Sequence, residues 1–338
     1  MSISGTKTKK RILSGVQPTG NLHMGTYIGA LMQWRANQVD YESLFCVVDL
    51  HALTVPEAVD PEVLRRNSRE ISALYIACGI DPEISNIFVQ SDVHEHAELS
   101  WILGCVTPLG WLYRMTQFKT KSDKRDSVGS GLLTYPVLQA ADIVLYEADQ
   151  VPVGQDQKQH IEIAREIAQR FNHLFGDLLT IPEPMIPKMG AKVMGLDDPS
   201  RKMSKSIGME VKGHSIGLLD PPKVARKAIM RAVTDSGNDI RFDHASPGVL
   251  NLLTLYEVLT DESRESIEAR FSGKGYGHLK KDVADVVIAT LEPIQARFTE
   301  LMNEPGYLDG ILDKGAERAR SIAAPVLTAV KQAVGLGR

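Results

Sequence analysis

No apolar run in this chain approaches the roughly 18 residues that a membrane-crossing helix needs, and the polar, basic start from Met1 to Arg11 holds no apolar signal core. The pattern reads as a cytoplasmic protein with no membrane partner. Cysteine is scarce: Cys46, Cys78 and Cys105 are odd in number, far apart and without a CxxC pair. That argues against a disulfide framework and against zinc, and leaves the three as packing residues. Neither sign of charge predominates. With 38 basic and 42 acidic residues the net charge is −4, so nothing draws the whole chain to nucleic acid, and any RNA surface has to be a local patch. Internal repeats and low-complexity tracts are lacking too. What remains is an ordinary globular composition of 338 residues, 43% hydrophobic and 24% charged, enough for one large domain or two smaller ones.

Short runs rich in Ile, Leu and Val, at Ile12–Val16, Leu44–Val48, Ile87–Val89 and Val151–Val153, alternate with helical periodicity such as that of Glu62–Ala77. Fully apolar strands separated by helices predict a parallel sheet covered on both faces, a doubly wound, Rossmann-like α/β nucleotide fold. Ligands in such folds lie beyond the carboxyl ends of the strands, where Gln17–Gly25, Asp49–His51 and Gly154–Gln157 fall. After residue 206 the pattern turns helical, over Pro221–Val233, Leu250–Leu259, Ser263–Phe271, Lys280–Leu301 and Gly315–Val334. The expected organisation is a catalytic domain over 11–206 and a helical domain over 207–338. Lys119–Gly131, rich in Lys, Ser, Asp and Gly, is expected to be a mobile loop.

Two segments carry the chemistry. Gln17-Pro18-Thr19-Gly20-Asn21-Leu22-His23-Met24-Gly25-Thr26 lies between a strand and a helix-like run, and free N–H groups at such a turn attract an anion. Lys202-Met203-Ser204-Lys205-Ser206 sets two ammonium groups three residues apart, suited to charge building on a leaving pyrophosphate. Either one alone is an ordinary turn or a solvated charged face. Together, in this order, they resemble the HIGH and KMSKS motifs of class I aminoacyl-tRNA synthetases. Ser14–Gly20, Leu133–Pro136, Ala140–Ile143, Val151–Gln157 and Gly335–Gly337 extend the likeness to the bacterial tryptophanyl-tRNA synthetase family, from about Arg11 to the C-terminus.

The resemblance implies ATP, carried with Mg²⁺, and L-tryptophan as substrates, tRNA(Trp) as acceptor, a homodimer with tRNA crossing between subunits, and no zinc. His23, Lys202 and Lys205 are then catalytic. ATP contacts fall on Gln17, Pro18, Thr19, Gly25, Thr26, Gly154, Gln155, Asp156, Val193, Met203, Ser204 and Ser206 besides the two lysines. Gln155 departs from an acidic residue of some relatives, which puts that side chain's contribution in doubt. Tryptophan contacts fall on Tyr135, Asp142, Gln157 and His51, with the Asp142 carboxylate accepting the indole N–H. The residues alone leave alternatives open. Asp142 stands in an almost continuous apolar stretch, Leu132–Tyr146, where a carboxylate needs a donor unless it lies on an exposed helix face or caps a neighbour. His51 is either a substrate contact or a histidine satisfied elsewhere. His94-Glu95-His96 reads as a polar loop rather than a metal pair, Lys119 and Lys121 as phosphate ligands or solvent face, and Lys7, Lys9, Lys10 and Arg11 as a basic leader. A tyrosyl-type synthetase and a non-enzymatic RNA-binding paralogue are the rival functions.

Overall fold

The structure, a computed structural model, describes residue 3 and residues 8–20, 22–122, 127–154, 158–186 and 192–337. Five parallel strands, β1 (Arg11–Val16), β2 (Glu42–Val47), β3 (Asn86–Val89), β4 (Gln150–Pro152) and β5 (Glu183–Met185), form one sheet in the order β3-β2-β1-β4-β5. Ile12, Leu13, Leu44, Phe45, Ile87 and Phe88 are all buried. Adjacent residues of a strand point to opposite faces, so burial of both members of each pair means that both faces are covered, as a parallel sheet requires. Chain order reverses between β1 and β4, which opens a crevice at their carboxyl ends.

The four expected strands are present within two residues of their predicted bounds, and β5 was not foreseen. Its sequence, Glu-Pro-Met, has one apolar and one charged residue around a proline. Proline is tolerated there because β5 lies at the sheet edge. The expected loop over Lys119–Gly131 is also corrected: Thr116–Ser122 is helical, and Ser130 and Gly131 open the helix Ser130–Val144, leaving 127–129 and the undescribed 123–126 between them.

Local chemistry places the helix Pro61–Ala77. Asp60 accepts from the backbone N–H of Glu62 and of Val63, and Pro61 sits where its missing N–H costs nothing. The helix buries Ile71, Leu74 and Tyr75. The Tyr75 hydroxyl donates to the Cys46 carbonyl at 3.2 Å, pinning the helix to β2.

Beyond the sheet, helices Pro222–Met230, Pro247–Thr260, Arg264–Phe271 and Tyr276–Asn303 lead to a last long helix, Pro305–Ala333. One buried cluster runs from Met24 and Tyr75 to Leu252, Val283 and Leu308, so the sheet and the helical part share a core across residue 206. The last helix returns along β3. Gly315 is needed there, since a Cβ would lie 1.8 Å from the Ile87 carbonyl oxygen, and the buried Ala316, Ala319 and Ala323 continue the packing against the sheet side. No helix among the described residues is long and apolar enough to cross a membrane.

Candidate active site

The fold brings the two motifs together. β1 ends at Val16 and the chain turns through Gln17–Gly20, with the Thr19 N–H on the Gln17 carbonyl at 2.8 Å and Gly20 at φ +119°. Asn67 from the Pro61–Ala77 helix donates to the Pro18 carbonyl at 3.1 Å and holds the turn. His23 then pairs in antiparallel fashion with Gly217, through Met24 N–H to the Ile216 carbonyl at 2.9 Å and Leu218 N–H to the Leu22 carbonyl at 2.8 Å. Gly25 is closely surrounded. A Cβ there would meet the His23 ring at 3.0 Å and Met203 Cβ at 3.4 Å.

On the other side, Met194 bridges to Lys202, and the Met203 N–H donates to the Val193 carbonyl at 3.0 Å. Val193 and Met203 are both buried. They serve as packing that presents Lys202, which is exposed, and the Lys205–Glu210 helix toward the His23 loop. The side chains of Lys205 and Ser206, and all of Gln155, Asp156 and Gln157, lie outside the described part of the structure. Gly154 is exposed just past β4, and the Val153 N–H donates to the Met185 carbonyl at 3.1 Å, so the chain leaves the sheet here beside β5.

His23 is a neutral group at ordinary pH. Burial, reinforced by the positive charges of Lys202 and His214, lowers its pKa from 6.5 to about 4. Thr26 Oγ1 lies 3.3 Å from Nε2, while the buried Nδ1 has no partner. With the threonine hydroxyl donating to Nε2, the Nδ1 N–H remains to meet an acceptor such as a phosphate oxygen. The sign of the linkage follows. Unfolded His23 takes up a proton below about pH 6.5 and folded His23 only below about 4, so stability is untouched above pH 6.5 and falls between 6.5 and 4. His23→Gln should therefore lose about 2 kcal/mol less than wild type between pH 7.5 and about pH 5 in urea melts. Equal losses would mean that His23 is not held neutral.

A second cluster lies beyond β2 and β3. Asp142, on the helix Ser130–Val144, is 3% exposed and receives three hydrogen bonds at 2.7 Å each: His51 Nε2 on Oδ2, and Gln90 Nε2 and His96 Nδ1 on Oδ1. Burial alone would push its carboxyl up. The adjacent His51, and hydrogen bonds from both histidines, outweigh that and hold it below the usual carboxylate range. A carboxylate offers about four lone-pair positions; three are filled, and the fourth is on Oδ2. Tyr135 stands two helical turns before Asp142, its ring edge-on to His51 with centroids 6.4 Å apart. Its hydroxyl lies 2.7 Å from His160 Nε2, and burial pushes its pKa up to about 12, so it keeps its proton.

The cluster shows where two residues that the sequence left open are placed. Asp142 is neither exposed nor a cap, and His51 directs Nε2 to this carboxylate. It also corrects the polar-loop reading of His94–His96. Glu95–Val106 is a helix, and His96 is fully buried with Nδ1 on Asp142 and Nε2 2.7 Å from the Tyr146 hydroxyl. The signal was available: His96 lies on the helix face of Leu99 and Leu103, and a polar residue on an apolar face needs a buried partner. Gln90, at the carboxyl end of β3, was missed for want of any motif.

Next to His23 opens a cleft of about 1230 Å³, with Thr19 and Gly20 on one wall and Lys212, Lys223, Lys227 and Arg231 on the other. Its cations outnumber Asp197, Asp220 and Glu70 in the lining, which suits a polyanion. The Asp142 cluster takes no part in it.

The chain matches known proteins over most of its length. Residues 6–292 fit the model of tRNA synthetases class I (W and Y). The chain belongs to that family. The tryptophan–tRNA ligase of Wolinella succinogenes is 51% identical over 329 residues, covering 97% of this chain and 99% of its own. The structure of tryptophanyl-tRNA synthetase from Mycoplasma pneumoniae superposes with a TM-score of 0.88 at 36% identity, over 98% of this chain and 99% of that one. That of Campylobacter jejuni, complexed with ADP and tryptophan, gives 0.84 at 37%, over 96% and 100%. As a class I synthetase, the chain has the expected parallel sheet followed by helices.

Proposed function

We propose that the chain is a tryptophan–tRNA ligase, cytoplasmic, using ATP and charging tRNA(Trp). The observation that carries the substrate choice is the single acceptor position left on Asp142, in a helix of apolar neighbours: it fits the one N–H of an indole. The tryptophan carboxylate attacks the α-phosphorus of ATP in line, the bond from phosphorus to the bridging oxygen breaks, and pyrophosphate leaves. The 2′-hydroxyl of the terminal ribose of tRNA then attacks the carbonyl of the adenylate and AMP leaves. Neutral His23 donates to a phosphate oxygen, while Lys202 and Lys205 neutralise the departing pyrophosphate. Tyr135, Gln157 and His51 complete the amino-acid pocket, and Gln17 to Thr19, Thr26, Gly154 to Asp156 and the 202–206 segment surround the nucleotide. Among the described residues no group of three His, Cys, Asp or Glu could hold a metal, so Mg²⁺ would arrive on the ATP phosphates and no step is assigned to it. Charging of tRNA(Trp) with labelled tryptophan tests the reading; charging with tyrosine instead would overturn it.

The helical segment 207–338 is proposed as the anticodon-binding part. The second subunit is proposed to cover the helices Glu95–Val106 and Leu109–Tyr113, on which Trp101, Leu109 and Tyr113 are 75%, 61% and 53% exposed. Large apolar side chains left exposed on two successive helices suit an interface. Analytical ultracentrifugation at micromolar concentration should give a dimer for wild type and a monomer for Trp101→Glu; a wild-type monomer contradicts the assignment.

A further inference from the structure

His214 belongs to no motif, yet it sits under the lysine loop. Its side chain is fully buried, and a Cβ on Gly195 would come within 2.3 Å of its Cε1, so glycine at 195 leaves the space that the ring fills. Both ring nitrogens face acceptors. Nδ1 is 2.5 Å from Asp197 Oδ1, and Nε2 is 3.2 Å from the main-chain carbonyl oxygen of Lys202. A carboxylate and a carbonyl can only accept, so a neutral ring, with one N–H, would satisfy one and turn a lone pair on the other. An imidazolium satisfies both. The backbone closes the same unit: Leu196 N–H donates to the His214 carbonyl at 3.1 Å and Gly195 N–H to the Arg201 carbonyl at 2.8 Å.

We infer that His214 is a positioning residue for adenylate formation: protonated and held by Asp197, it anchors the main chain at Lys202 and so sets where the 202–206 segment begins. This rests on the pyrophosphate role proposed for Lys202 and Lys205. A ring with one N–H keeps it on the Asp197 carboxylate, the stronger acceptor, and turns a bare Nε2 on the Lys202 carbonyl, which frees the loop from its anchor. Among the described residues, Asp197 contacts the ring directly, Asp198 lies in the same turn, and His23 lies near it from the β1 loop. His23 does not confuse the readout, because burial, with Lys202 and His214 beside it, keeps it neutral down to about pH 4.

The test is single-turnover adenylate formation with ATP and tryptophan between about pH 5.5 and about pH 8.5, the range in which histidines titrate, together with the KM for tryptophan. Asp197→Asn removes the carboxylate that favours the proton, and should slow the step about 10-fold or more at the alkaline end while approaching the wild-type rate at the acid end. His214→Gln should be about 10–100-fold slow throughout, the cost of a misplaced catalytic group, without recovery at low pH. Both should keep the KM for tryptophan. An Asp197→Asn rate equally slow at every pH, or a His214→Gln rate equal to wild type, overturns the role. If His214→Gln does not fold, Asp197→Asn, at a partly exposed position, decides alone. Lys202→Ala separates the two levels: slow Lys202→Ala with normal His214→Gln removes only His214, whereas a wild-type rate in Lys202→Ala overturns both.

Discussion

Replacing Asp142 by Ala should collapse the discrimination between tryptophan and phenylalanine by about 10⁴–10⁵-fold in kcat/KM, because a site built around a hydrogen bond rejects analogues lacking the donor by that factor. Phenylalanine loses only the volume of the carboxylate; tryptophan loses the partner of its one polar atom. The variant carries a second cost. His51, Gln90 and His96 would be left buried without their acceptor, at about 1–3 kcal/mol for each donor that water does not reach. Thermal melting at pH 7 should therefore fall together with specificity. Steady-state activation of both amino acids separates the two effects, since general loosening of the helix Ser130–Val144 would depress them equally. Equal losses would make Asp142 a structural carboxylate and no more.

The other large effect is expected in the lysine loop. Lys202→Ala and Lys205→Ala should each slow adenylate formation by about 10²–10³-fold, the usual cost of removing one preorganised contact to developing charge. Tryptophan affinity should hardly change, because the role proposed for the ammonium groups is on pyrophosphate and not on the Asp142 cluster, which does not line the adjoining cleft. The double variant should lose less than the product of the two, since both lysines serve one leaving group on one loop. Presteady-state rates at saturating ATP check this. Single variants with wild-type adenylate formation would leave the 202–206 segment without a phosphate role.

The sheet was legible because strands buried on both faces write themselves as apolar runs, and Leu44–Val48 needed no further clue. β5 was not, because an edge strand tolerates Glu183 and Pro184 and its pattern then resembles a loop. The two motifs pointed to the site, but not to how it is assembled. Nothing in sequence spacing brings Gly217 against His23 or Met203 under Gly25; both follow from a chain that returns to the same place far along its length. Of the glycines after the lysine loop, without an evident purpose in sequence, Gly213 has φ +93°, a conformation that favours glycine, while a Cβ on Gly208 would require the Ser215 hydroxyl, 2.1 Å away, to turn aside. Asp142 was found from its apolar surroundings, whereas its donors come from three other elements that long-range packing alone selects.

Amino-acid-dependent exchange of labelled pyrophosphate into ATP tests the central claim most directly, because it reports adenylate formation without tRNA. The account predicts rapid exchange with tryptophan, exchange lower by orders of magnitude with tyrosine and phenylalanine, and loss of the tryptophan signal in Lys202→Ala. Exchange driven by tyrosine, or none with any amino acid in a folded dimer, would contradict it.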